Sequence, residues 1–186
     1  MKRLAAILII LIFPMSAFCF DDVSVGMFSG GQISFNDHWR NHYHDYNLDE
    51  LSMSLGKYLD EGKKWKIECE FLTGFFTDKY QSYVESCRSL GFNLHIKREL
   101  CRISVFTPYI GTYGGLSILS PHNNQSDFEN SGALGTFGGY AGVKFPVSDR
   151  QNVLIAFRIM HTSDPFNTGD MGRNHQGISV RMSWEL

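Results

Sequence analysis

Along most of the chain, apolar and polar residues alternate one by one. Trp65, Ile67, Cys69 and Phe71 are interleaved with Lys66, Glu68 and Glu70. Leu90, Phe92, Leu94 and Ile96 stand against Asn93, His95 and Lys97. Phe137, Ala141, Val143 and Phe145 stand against Thr136, Gly138 and Lys144, and Ile178, Val180, Met182, Trp184 and Leu186 against Ser179, Arg181, Ser183 and Glu185. A period of two is the pattern of a strand with two unlike faces. Read this way, the chain predicts eight strands, at residues 22–34, 48–57, 64–76, 88–97, 102–119, 132–145, 151–163 and 175–186, separated by polar loops.

Two architectures use such strands. In a soluble sandwich or lipocalin-like barrel the apolar faces make a core and the charged faces meet water. In a membrane barrel the apolar rows face lipid and the polar rows fill the interior. The polar rows here carry both signs (Lys66, Glu68, Glu70, Arg158, Arg181 and Glu185), which suits pairing inside a narrow barrel. The last strand also carries an aromatic, Trp184, near its end, as the closing strands of outer-membrane barrels do. The expected fold is therefore all-β, an eight-stranded antiparallel up-and-down transmembrane β-barrel.

The N-terminus supports export. Lys2 and Arg3 precede an unbroken apolar run from Leu4 to Phe13, then Pro14, Ser16 and Ala17. The run is too short to cross a bilayer, and the arrangement matches a secretory signal peptide. Residues 1–19 are expected to be the signal and 20–186 a single barrel domain. A retained anchor is the alternative. The formal net charge of −2 makes no case for nucleic acid. Cys69, Cys87 and Cys101 would remain after cleavage, an odd count that leaves a homodimer open.

Outer-membrane barrels place both termini and the short turns in the periplasm and longer loops outside. The stretches at 98–101 and 146–150 are short, and those at 35–47, 77–87, 120–131 and 164–174 are longer. Odd strands then run outward. Cys87 falls near the outer rim, Cys101 near the inner one and Cys69 in mid-strand on the lipid face, so no intramolecular disulfide is expected.

The seventh strand holds the candidate chemistry. Val153, Ile155, Phe157 and Ile159 form one row, and the same row continues into His161 and Ser163. Residues i and i+2 of a strand point the same way. An imidazole and a hydroxyl thus stand side by side where an apolar face ends, at the level of the outer leaflet. Such a pair is the minimum for acyl transfer, with the His as base and the Ser as nucleophile. The bland alternative is a pair of polar residues tolerated at headgroup level.

The segments Pro108–Ser120 and Leu134–Gly142, rich in glycine and aromatics, together with Arg158-Ile-Met-His161-Thr-Ser163, resemble the outer-membrane lipid A 3-O-deacylase (PagL) family over roughly the last eighty residues. The resemblance implies an eight-stranded barrel that removes the 3-position ester-linked acyl chain of lipid A, the lipid of outer-leaflet lipopolysaccharide. It implies His161 as general base and Ser163 as nucleophile, with no metal or organic cofactor. The family has Asn after the serine, where this chain has Asp164. A carboxylate cannot donate to an oxyanion, which leaves backbone amides and Asn167 as candidate donors. The family's closing strand carries an acid. Here the outward row counted back from Leu186 offers Gln176 and Asn174, either of which has a side-chain carbonyl able to hold the imidazole; Asp170 is the nearest loop acid. The His-rich stretch Asp37, His38, His42, His44 and Asp45 reads as an interfacial polar belt with Trp39 and Tyr43 rather than a zinc or copper site, since no closing ligand has firm spacing. Rival readings are a catalytically silent barrel with structural or adhesive loops, and a soluble lipid-binding barrel.

Overall fold

The computed structural model describes residues 20–32, 44–80, 83–121, 133–163 and 173–186. These form eight strands: β1 (Asp22–Gln32), β2 (His44–Tyr58), β3 (Trp65–Tyr80), β4 (Tyr83–Glu99), β5 (Thr107–Pro121), β6 (Ala133–Pro146), β7 (Gln151–Ser163) and β8 (Arg173–Glu185). Each pairs antiparallel with the next, and β8 pairs with β1 to close the barrel. Closure satisfies every strand edge, the condition for a sheet to stand in lipid. Cross-strand partners followed once around run from Asp22 through Gly56, Glu68, His95, Tyr113, Gly138, Met160 and His175. They return to β1 at Gln32, ten residues further along. That stagger tilts the strands and sets the bore.

The alternation read from the sequence divides inside from outside. Lys66, Glu68 and Glu70 are buried in the interior, and Trp65 and Phe71 are exposed on the wall. The outer wall also carries Val25, Met27, Leu51, Met53, Leu90, Leu94, Ile110, Leu116, Ile155, Phe157, Ile178 and Val180. This is an apolar belt with charge on the inside, the reverse of a soluble protein, and it rules out a soluble sandwich. Replacing Ile67 by Arg would put a cation on this belt and is expected to cost about 2–4 kcal/mol at mid-bilayer depth. The check is urea unfolding of the barrel from lipid vesicles. A cost near zero would place β3 with its other face to lipid.

The interior is filled by side chains. Glu70, fully buried, meets Arg158 at 3.3 Å, His95 Nε2 at 2.8 Å and Asn93 Nδ2 at 3.2 Å, and also takes a short bond from Arg181. Glu68 takes Lys97 at 2.8 Å, Lys66 at 2.9 Å and Arg181 at 3.3 Å. Lys66 also pairs with Asp22, and Lys144 with Glu99. Arg158 lies over the Tyr113 ring at 4.6 Å and the Phe28 ring at 5.2 Å, so aromatic rings pack on the guanidinium that pairs with Glu70. Phe28, Leu48, Tyr113 and Met160 form an apolar cluster beside this network. A cavity of about 10 Å³, room for one water, lies among Glu68, Lys97, Tyr140, Arg158 and Arg181. Two glycines make space for the interior tyrosines. A Cβ on Gly111 would sit 2.4 Å from the Tyr140 ring, and one on Gly138 would sit 2.7 Å from the Tyr113 hydroxyl. Glu185 lies apart from the central network. It pairs with Lys63 at 3.1 Å at the barrel rim, because it is the last residue of β8.

Several boundaries differ from those expected. β3 and β4 continue past the apolar belt to the pair Tyr80↔Tyr83, so most of the stretch expected as an outer loop at 77–87 is paired strand. The sequence there lacks a continuous apolar row (Thr77↔Ser86, Asp78↔Glu85, Lys79↔Val84), and a ladder held by backbone hydrogen bonds needs none. β2 likewise begins at His44 rather than 48. At the other end β5 begins at Thr107 rather than 102. Residues 102–106 form a tight turn, with an Ile103↔Phe106 bridge and Ser104 at φ 54°. Its apolar residues imitated a strand start. Cys69 and Cys101 are free thiols. The expected signal at 1–19 and His38 and His42 of the His-rich stretch lie outside the described residues.

Candidate functional site

β7 alternates as expected. Leu154, Ala156, Arg158 and Met160 are buried inside, while Ile155, Phe157 and Ile159 are exposed on the wall. His161 and Ser163 continue the outer row and are half-buried. They lie at the barrel end opposite the start of β1, the end of β8 and the turns at 59–64, 100–106 and 147–150. In outer-membrane barrels that end is the extracellular one.

The neighbours of His161 come from the ladder. Phe137 of β6 is opposite on one side and Asn174 of β8 on the other. The Phe137 ring packs on the imidazole with centroids 4.8 Å apart and planes tilted by 41°. His161 Nδ1 lies 2.8 Å from Asn174 Oδ1. An amide oxygen only accepts, so the proton of this bond sits on Nδ1 and the Nε2 lone pair is left open. The ring is therefore held through Nδ1 by Asn174 and packed on one side by Phe137.

Of the two residues singled out on the closing strand, Asn174 makes the contact. Gln176 is exposed and lies opposite Ile159 and Gly31, one step down the row from His161. Ser163 lies opposite Gly135, which has no side chain to set against its hydroxyl. Its Cα is about 6.6 Å from that of His161 along the strand, at two residues of rise. Among the described residues Ser163 and His161 are not hydrogen-bonded to each other. Asp164, Asn167 and Asp170 fall outside the described residues. No group of His, Cys, Asp and Glu among the described residues could hold a metal ion.

The sequence reading missed two neighbours. One is Phe137, whose contact follows from the β6–β7 register. The other is an outward polar pair across the closing seam, Ser29 of β1, whose hydroxyl donates to Asp49 Oδ1 of β2 at 2.6 Å.

No protein-family model matches the chain, and no curated protein sequence does. Solved structures do. The barrel is similar to Neisserial surface protein A, with a TM-score of 0.61 and 13% identity, covering 89% of this chain and 96% of that one. It is similar to the outer membrane protein OprG from Pseudomonas aeruginosa, with a TM-score of 0.59 and 12% identity, covering 90% and 97%. It is also similar to the outer membrane enzyme PagL, with a TM-score of 0.54 and 16% identity, covering 86% and 97%. The chain has the fold of small outer-membrane β-barrels. At these identities the likeness is one of fold, shared by an enzyme and by other outer-membrane proteins alike.

Proposed function

We propose that this barrel is an outer-membrane esterase acting on lipid A, removing its 3-position ester-linked acyl chain by Ser-His acyl transfer. The observation that carries the reading is the imidazole of His161, held through Nδ1 by Asn174 on the lipid-facing wall, with Ser163 next on the same row. A polar residue tolerated at headgroup level needs no such orientation. In the proposed reaction Nε2 takes the proton of the Ser163 hydroxyl as Oγ attacks the ester carbonyl. The tetrahedral intermediate collapses, the C–O bond to the sugar breaks, and the proton passes from Nε2 to the leaving alcohol. Water then repeats the sequence on the acyl-enzyme and releases the fatty acid. Asn174 keeps the tautomer that both proton transfers need. The apolar row below His161 (Ile159, Phe157, Ile155) runs alongside acyl chains in the outer leaflet. In this reading residues 1–19 are the export signal, no cofactor takes part, and the substrate reaches the site from within the membrane.

Mass spectrometry of lipid A from cells expressing the chain tests the proposal. Loss of the mass of one 3-hydroxy fatty acid is expected. Unchanged lipid A in cells whose barrel is folded and surface-exposed would sink it.

One observation favours a catalytically silent barrel, namely Asp164 directly after the nucleophile. A carboxylate there opposes the charge that develops on the carbonyl oxygen. Asp164→Asn is accordingly expected to raise the rate of fatty-acid release by up to about 10²-fold, the scale of one well-placed oxyanion donor. A rate that falls or stays level in Asp164→Asn would remove Asp164 from the oxyanion site.

A further inference from the structure

The wall around His161 is unlike on its two sides. Going around the barrel at constant height requires correcting each ladder step for the ten-residue stagger of the circuit. After that correction Gln176 on β8, Ser29 on β1 and Asp49 on β2 all lie within roughly 5 Å of the height of His161. Going the other way, the same height is occupied by Phe137, Leu116, Leu90 and Phe75, exposed by 57%, 55%, 63% and 56%. The site therefore stands on a border. One half of the ring is apolar and large, and the other is polar. In the polar half the outward side chains described are Asn174, Gln176, Ser29, Asn47 and Asp49, and none is a cation.

The Ser29–Asp49 pair is the strongest feature of that half. A carboxylate on the lipid-facing wall stands directly above Leu51 and Met53, exposed by 61% and 47%. One of its oxygens accepts from Ser29, and among the described residues the other has no hydrogen-bond partner. It has no cationic partner among the described residues. It stands between Ser29 on β1 and Phe75 on β3, and among the described residues nothing beside it would hold a phosphate by charge. It can accept from O–H and N–H donors. From His161 to Asp49 is three strand spacings, roughly 14 Å across the wall, a span suited to a sugar headgroup lying along the barrel while its acyl chain crosses to the apolar half.

We infer that Asp49, braced by Ser29, is a headgroup dock that accepts hydrogen bonds from the hydroxyl and amide N–H groups of an acylated amino sugar, and that it orients the substrate ester over Ser163. The inference builds on the esterase reading for the last clause only. Docking itself can be measured without turnover.

The test titrates lipid A into detergent-solubilised Ser163→Ala barrel, with and without Asp49→Ala, Asp49→Asn or Ser29→Ala. Folding of each variant is confirmed by heat-modifiable gel migration. Asp49→Ala is expected to weaken lipid A binding about tenfold or more, the scale of one hydrogen bond to a charged group. Asp49→Asn, which keeps an acceptor, should lose less, and Ser29→Ala only a few-fold. Binding of a long-chain acyl ester that has no sugar should not change. Equal lipid A affinity with and without Asp49, equal losses for both ligands, or no lipid A binding by the parent barrel would each overturn the inference. So would disappearance of the Asp49 effect when a divalent-cation chelator is added, because Asp49 would then act through a bridging metal. If lipid A binding depends on Asp49 yet wild type releases no fatty acid, the dock stands and the esterase reading fails.

Discussion

Ser163→Ala is expected to lower fatty-acid release from purified lipid A by about 10³-fold or more, since removing the nucleophile of a triad leaves only binding and oxyanion contributions. The barrel itself should be unaffected, because a half-buried wall hydroxyl contributes little to stability. His161→Asn should lose nearly as much. Asn174→Ala should fall between these variants and wild type, since Nε2 would remain but the tautomer and ring plane would no longer be held. Gln176→Ala should leave the chemical step alone, because Gln176 faces Ile159 and Gly31 across the ladders rather than the imidazole. The measurement is release of 3-hydroxy fatty acid in detergent micelles. Undiminished release by the Ser163→Ala protein would eliminate Ser163 as nucleophile. A Gln176 effect larger than that of Asn174 would reassign the residue that orients the base.

The second large effect concerns the interior. Glu70→Ala is expected to destabilise the barrel by about 3–5 kcal/mol. The carboxylate is shared by Arg158, Arg181, His95 and Asn93, all within a side-chain-filled bore. Removing it takes an ion pair from each of two buried guanidinium groups and, among the described residues, leaves Arg181 with Glu68 alone. Glu70→Gln keeps the volume and one acceptor and should cost less. Urea unfolding from vesicles of fixed lipid composition reads the difference. A loss below about 1 kcal/mol would mean that the network is solvated rather than sealed.

The interior network also explains part of what the sequence concealed. Lys66, Glu68 and Glu70 read correctly as an inward row, because alternation alone assigns faces. Their partners Lys97, Arg158 and Arg181 come from β4, β7 and β8, and no local pattern couples those strands. Strand ends were misjudged where hydrophobicity and hydrogen bonding part company. At Tyr80↔Tyr83 the ladder continues without an apolar face, and at Ile103 and Val105 an apolar stretch is a turn. Glu185 read as an interior charge, although its place at the end of β8 takes it to the rim and to Lys63.

By itself the sequence determined the fold class, eight strands, the inner and outer rows of β3, β4, β6, β7 and most of β8, and the pairing of His161 and Ser163 on one row. All of these follow from a period of two, which is local. The tertiary structure decided which of Gln176 and Asn174 meets the imidazole. That depends on the β7–β8 register, where a shift of two residues would exchange them without changing any face. It also decided that Ser29 and Asp49 share a wall with His161. Those residues are more than a hundred positions away along the chain. Only closure of β8 onto β1, with its ten-residue stagger, brings them to one height in the membrane.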